Sequence, residues 1–190
     1  LKSLIKLSSA LAGLLIILIS GLLQSAIVMP TSQLGLKLID LPSSWQVPGL
    51  LLVAVVCGPK SGLIATFAYL TIGLFYLPVF HGGGSIGYIA TPDFGYLLGF
   101  IPAVWVTGRL TETNEENTFF SLFISIFIGL SLIHTIGLVN IFTGTLLSRW
   151  PTSLIELIIT YSLSTFPTQL LLCPAIVFMA KILRKILLIE

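Results

Sequence analysis

An all-α membrane protein is the fold class this sequence predicts, with six transmembrane helices and an extra interfacial helix before the last span. Three observations carry that expectation. Of 190 residues, 56% are hydrophobic and only 8% charged, against roughly 25% charged in soluble domains. Mean hydropathy is +1.09. Long stretches carry no formal charge at all: Leu7–Val28, Ser61–Pro92, Asn117–Ser148 and Leu157–Ala180. Such runs suit spanning helices, which need about 20 apolar residues each. The net charge of +2, with its basic residues dispersed, leaves no footprint for nucleic acid. Cys57 and Cys173 sit in apolar runs and make neither a metal-ligand spacing nor a disulfide framework, so neither metal nor cofactor is expected.

In chain order, Lys2 and Lys6 precede the first apolar run. Its length favours a spanning helix, Leu7–Val28, over a signal-peptide core. The second helix is short, Ser44–Cys57, with Pro48 inside it and the turn Gly58–Gly62 (GPKSG) after it. The third covers Gly62–Leu77 and stops at Pro78. The fourth runs Phe94–Leu110, the fifth Thr118–Asn140 and the sixth Pro167–Leu183. Between the fifth and sixth, Thr152–Leu163 is apolar on one side and holds Glu156. It reads as an interfacial helix over the bundle mouth. The alternative is an extension of the sixth helix, against which Pro167 argues a break. The whole chain, residues 1–190, reads as one membrane domain.

Six spans put both termini on one face. With the termini cytoplasmic, Lys2, Lys6, Lys60, Arg109, Lys181, Arg184 and Lys185 lie inside, and only Lys37 and Arg149 outside. That asymmetry satisfies the positive-inside tendency, and a multi-pass protein of the plasma membrane follows. The bilayer is its first partner.

The loop after Pro78 contains HGGGSIG, residues 81–87. It matches an esterase oxyanion loop, a nucleophile elbow and a dinucleotide fingerprint together. An esterase needs its serine on a strand-to-helix turn, with histidine and carboxylate in reach. The dinucleotide motif needs a preceding strand and a later acid. Spanning helices flank this loop instead, and Ser85 is not read as a nucleophile. Two readings remain. Gly82, Gly83, Gly84 and Gly87 form a flexible gate beside the aromatics Phe80, Tyr88, Phe94 and Tyr96, or the loop is a plain connection with interfacial aromatics.

Ordered landmarks then resemble a known family. Leu41–Gln46 (LPSSWQ), Gly58–Gly62 (GPKSG), Tyr69–Phe80 (YLTIGLFYLPVF), the glycine loop and Pro92–Phe100 (PDFGYLLGF) resemble, in order, the BioY family of biotin-capturing S components of energy-coupling factor (ECF) transporters. The resemblance is close over Leu41–Leu110 and weak elsewhere. It implies a compact six-helix bundle that binds biotin near its outer surface, with a T component and two ABC-type ATPases as partners. The chain itself has no GxxxxGK[ST] phosphate loop, so it is not expected to be an enzyme. Two departures stand out. The family's last helix opens with a pattern like PFxPGDxxK, whose acid and lysine positions are here Gln169 and Leu172. The family's Ala-x-x-x-Ala docking face on the first helix is replaced by Ser8-x-x-x-Ala12 and Ser9-x-x-x-Gly13, small surfaces suited either to a partner helix or to internal packing.

Polar groups inside an apolar bundle are costly, which marks them as site candidates. Gln46 either hydrogen-bonds a ureido ring or begins the second helix. Asp93 either meets ligand or answers the helix dipole at the start of the fourth helix. Phe80 and Tyr96 either wall a bicyclic ring or anchor at the interface. Asn140 either caps the fifth helix or donates to ligand. Gln169 occupies a family site position and is itself an intramembrane polar side chain. His134 is expected to be satisfied by a neighbouring backbone carbonyl, and Glu156 to lie at the wet interface. The function expected is biotin uptake as an S component. The alternatives are an S component for another small heterocycle, a non-transporting membrane interaction module, or a membrane esterase.

Overall fold

The computed structural model describes residues 2–30, 35–80, 83–114 and 118–187. Helix α1 spans Lys2–Leu22, and a β-ribbon of β1 (Gln24–Pro30) and β2 (Leu36–Ser44) follows it. Helix α2 spans Gln46–Phe75, α3 Phe94–Thr113 and α4 Phe119–Leu146; α5, Leu154–Ile158, leads through a wide turn into α6, Thr165–Ile186. Among the described residues, Ser3–Leu22, Gln46–Phe75, Phe119–Leu146 and Leu154–Ile186 are helical runs long and apolar enough to cross a membrane. The chain is a mostly helical, multi-pass membrane protein.

In α1, Ala10, Gly13, Ile17, Ser20 and Gly21 are buried, at the three- and four-residue spacing of one helix face. That face packs on α2, where a β-carbon on Gly13 would stand 2.8 Å from Val53 Cγ1. The opposite face, with Leu4, Leu11, Leu15 and Ile19, is more than half exposed. Bare leucine and isoleucine of this kind suit contact with lipid. The first helix does not reach Val28 as expected. From Gln24 the chain is extended and pairs antiparallel with β2, Ile27 opposite Ile39 and Met29 opposite Lys37. The register shifts between Gln24 and Ala26, at the end of the ribbon where Pro42 cannot donate to the ladder. The chain is therefore not all-α.

The second and third expected helices are joined in α2. Gly58 alone leaves helical geometry, at φ 74 and ψ 173, a backbone that glycine adopts without steric cost. Pro59 then has no N–H to offer the carbonyl of Val55. Arg184, buried in the last turn of α6, supplies the missing donor: its Nη1 donates to Val55 O at 3.1 Å. Helix α3 closes on the same kink, since a β-carbon on Gly108 would meet Pro59 N at 2.7 Å. The core beside it is built from Leu50, Leu51, Val53, Phe100, Leu122, Ile126 and Leu130.

The separate helix expected at Thr152–Leu163 is not separate. Ser153 caps α5 by accepting from Glu156 N. The chain then continues through Ile159–Leu163 as a π turn, with Ser164 N donating to Ile159 O at 3.0 Å. Pro167 falls in the first turn of α6, where a missing N–H is tolerated, so it does not break the helix.

Candidate ligand-binding site

The start of α2, the starts of α3 and α6, the middle of α4 and the end of β2 gather around one space. They enclose a cavity of about 130 Å³. The β2–α2 junction brings Ser43, Ser44, Gln46 and Val47 to it. The short 3₁₀ turn Ile86–Ala90 brings Tyr88, and α3 brings Asp93, Tyr96, Leu97 and Phe100. Ile133 and His134 come from α4, and Tyr161, Thr165 and Gln169 from the α5–α6 unit. Thr168 Oγ1 donates to Ser43 Oγ at 2.9 Å, tying α6 to the ribbon beside the cavity.

Most polar groups on this wall are paired with a neighbour. Gln46 Nε2 donates to Tyr69 Oη at 2.7 Å, and Tyr69 in turn donates to Val79 O at 3.0 Å. That leaves Gln46 Oε1 as an acceptor. The Tyr88 hydroxyl donates to Asp93 Oδ2. Burial first, then this bond and the carboxylate charge, push Tyr88 above the ordinary phenol range. Tyr96 Oη stands 2.6 Å from Ser162 Oγ, and Ser162 Oγ stands 3.2 Å from His134 Nδ1. His134 Nε2 reaches Gln169 Oε1 at 3.0 Å. Tyr96 and Phe166 meet the imidazole edge-on, with centroids 5.4 and 4.9 Å away. Among the described residues of the wall, Asp93 is the one charged side chain and no lysine or arginine is present. An aromatic pocket with paired donors and acceptors suits a small, mainly neutral heterocycle.

Of the residues singled out from sequence, Gln46, Asp93, Tyr96 and Gln169 line this one cavity. Phe80 and Asn140 do not. Phe80 lies one layer back, with its ring 5.5 Å from Tyr69 and 5.0 Å from Tyr88. Asn140 donates to Pro92 O at 2.9 Å and holds the start of α3. His134 has side-chain partners instead of the expected backbone carbonyl. Tyr88, His134, Tyr161 and Thr165 join the wall without having been proposed for it. Their signal was weak, because aromatics and hydroxyls also fill ordinary membrane interfaces.

Gly82 lies outside the described residues. Phe80 and Gly83 exchange backbone hydrogen bonds of 2.7 and 2.9 Å. Gly84 is wedged, since a β-carbon there would meet Pro78 Cα at 2.6 Å and Gly73 O at 2.7 Å, while Gly87 has room. Gly84 and Gly87 border a neighbouring groove of about 500 Å³ and not the cavity. Gly84 seats the loop on the end of α2, and Tyr88 is the loop's contribution to the wall. On α1, Ser8 and Ala12 are exposed, Ser9 is half-buried and Gly13 is buried, so only the first pair faces outward.

Comparison with known proteins places this geometry. The chain is 34% identical over 96 residues to the probable biotin transporter BioY of Lysinibacillus sphaericus, covering 50% of this chain and 49% of that protein. It is 32% identical over 116 residues to the biotin transporter BioY of Thermotoga maritima, covering 60% and 66%. The matched region thus spans about half to two thirds of these curated relatives. A crystal structure of the S-component for biotin from an ECF-type ABC transporter superposes with a TM-score of 0.72 at 20% identity, over 97% of this chain and 93% of that one. That likeness shows a shared fold. The BioY family model matches residues 6–188, nearly the whole chain, and the chain belongs to the BioY family.

Proposed function

We propose that this chain captures biotin, as the S component of an ECF-type transporter. The observation that carries the proposal is the cavity wall. Gln169 and Gln46 amides and the Asp93 carboxylate stand among Tyr88, Tyr96 and Phe100. A ureido group has one carbonyl acceptor and two N–H donors, and this wall offers donors and acceptors of the complementary kind. The names borne by the relatives support the same ligand. In this reading residues 1–190 form one membrane domain with six crossings: α1, the two limbs of α2 on either side of Gly58, α3, α4 and α6. Both termini are cytoplasmic, by the distribution of lysine and arginine. The α5 segment lies over the mouth of the site. A T component and two ABC-type ATPases supply the energy, because this chain has no phosphate loop of its own. The exposed Ser8–Ala12 strip is where the partner helix packs.

Equilibrium binding of radiolabelled biotin to purified protein tests the proposal. Saturable binding is expected, weakened at least tenfold in Gln169→Leu and unchanged in Ala12→Trp, which instead abolishes uptake by the assembled transporter. Absence of saturable binding at micromolar biotin overturns the biotin assignment. Leu172, buried where the family usually has lysine, favours one second reading: a related heterocycle without an acidic tail. Competition of biotin against such heterocycles in the same assay separates the two.

A further inference from the structure

We infer, on the biotin reading above, that His134 is a positioning residue that fixes which end of the Gln169 amide the ligand meets. With the Gln169 carbonyl oxygen facing the imidazole, the hydrogen bonds run in one direction. Gln169 Oε1 accepts only, so the proton of the 3.0 Å contact belongs to His134 Nε2. A neutral imidazole that donates at Nε2 accepts at Nδ1, and Ser162 therefore donates across the 3.2 Å contact. With its one proton committed, Ser162 Oγ accepts from Tyr96 Oη at 2.6 Å.

The consequence falls on the far end of the chain. Gln169 is 9% exposed, lines the cavity, and among the described residues has no partner for Nε2. A buried amide N–H₂ left open is costly, and a ligand acceptor is the group that satisfies it. His134 thus holds glutamine as a donor in the position where the family usually has an acid, which only accepts when ionised. Phe166 and Tyr96 grip the imidazole edge-on, so the ring has little freedom to turn away. The specificity that follows is for a carbonyl oxygen over any group that donates in its place.

A pair of ligands reads this directly. 2-Iminobiotin, protonated at neutral pH, presents donors where biotin presents its ureido oxygen. The wild-type protein is expected to bind biotin at least tenfold more tightly than 2-iminobiotin. In His134→Phe, which keeps an aromatic ring but loses both nitrogens, Gln169 is free to turn over and that ratio falls at least tenfold. His134→Gln offers Gln169 either a donor or an acceptor, so it is expected to recover the ratio only in part. Ser162→Ala leaves the ring in place but releases its tautomer, and lowers the ratio about threefold; it decides the matter if His134→Phe does not fold. A wild type that binds biotin, with a ratio unmoved in every folded variant, overturns the positioning role, since a merely structural histidine weakens both ligands alike. A wild type that binds neither ligand overturns the biotin reading itself.

Discussion

Tyr88 donates to Asp93 at the mouth of the cavity, and its hydroxyl is held above the ordinary phenol pKa of 10.0 chiefly by burial. The neutral phenol is the form the folded protein favours. The stabilisation is therefore fully present below pH 10.0 and is lost only as pH rises through the higher folded value. Tyr88→Phe strips Asp93 of that donor and is expected to cost about 1–3 kcal/mol. Measured by thermal unfolding in detergent, the difference between wild type and variant should stay constant from about pH 6 to 9; a steady decline over that range refutes the assignment. At this scale only part of the site was legible in the sequence. Gln46, Asp93, Tyr96 and Gln169 stand out because polar groups in an apolar chain need a reason. The pairing of His134 with Ser162 and Gln169 was not legible, since they lie 28 and 35 residues away, a proximity only the fold creates. Asn140 was conspicuous as a polar group and Phe80 as an aromatic, yet both hold the wall from behind.

The bond from Arg184 to Val55 joins two elements at the end opposite the cavity. It answers a carbonyl that Pro59 leaves open at the kink of α2. Arg184→Met keeps the long apolar stem and removes the donor. It is expected to destabilise the protein by about 1–3 kcal/mol while leaving biotin affinity within about twofold of wild type. Thermal unfolding and ligand titration on one sample check both halves, and an unchanged melting temperature refutes the role. Helix positions were readable from charge-free length, whereas their ends were not. Gln24–Pro30 continues an apolar run without a breaker, so nothing in composition separates it from α1. Its β-branched Ile27 and Val28 were the available signal. Pro167 misled in the other direction, because a proline in the first turn of a helix reads the same in sequence as one that ends it.

Across the whole molecule, wall residues run from Pro42 to Gln169 and none comes from α1, which keeps one side bare. The proposed ligand capture and the proposed partner docking thus fall on different parts of the chain. The proposed orientation puts Asn114 on the cytoplasmic face and Ser153 outside. Single cysteines at these positions, in a background with Cys57 and Cys173 replaced by alanine, should react with an impermeant maleimide on intact cells only at residue 153; labelling at 114 alone inverts the topology. The distribution of the wall over the chain also makes its numbering matter. The π turn before α6, with its bond from Ser164 back to Ile159, accommodates one residue more than a regular helix would hold. That residue is a spare link in a chain otherwise cut to length. Deleting one residue from Ile159–Leu163 is expected to straighten the helix and to swing what precedes the deletion by about 100° around the axis, which would disturb the placing of Tyr161 and Ser162 at the cavity. The irregular turn is thus a place where the loss of a single codon would retune the pocket without disturbing the helix that follows.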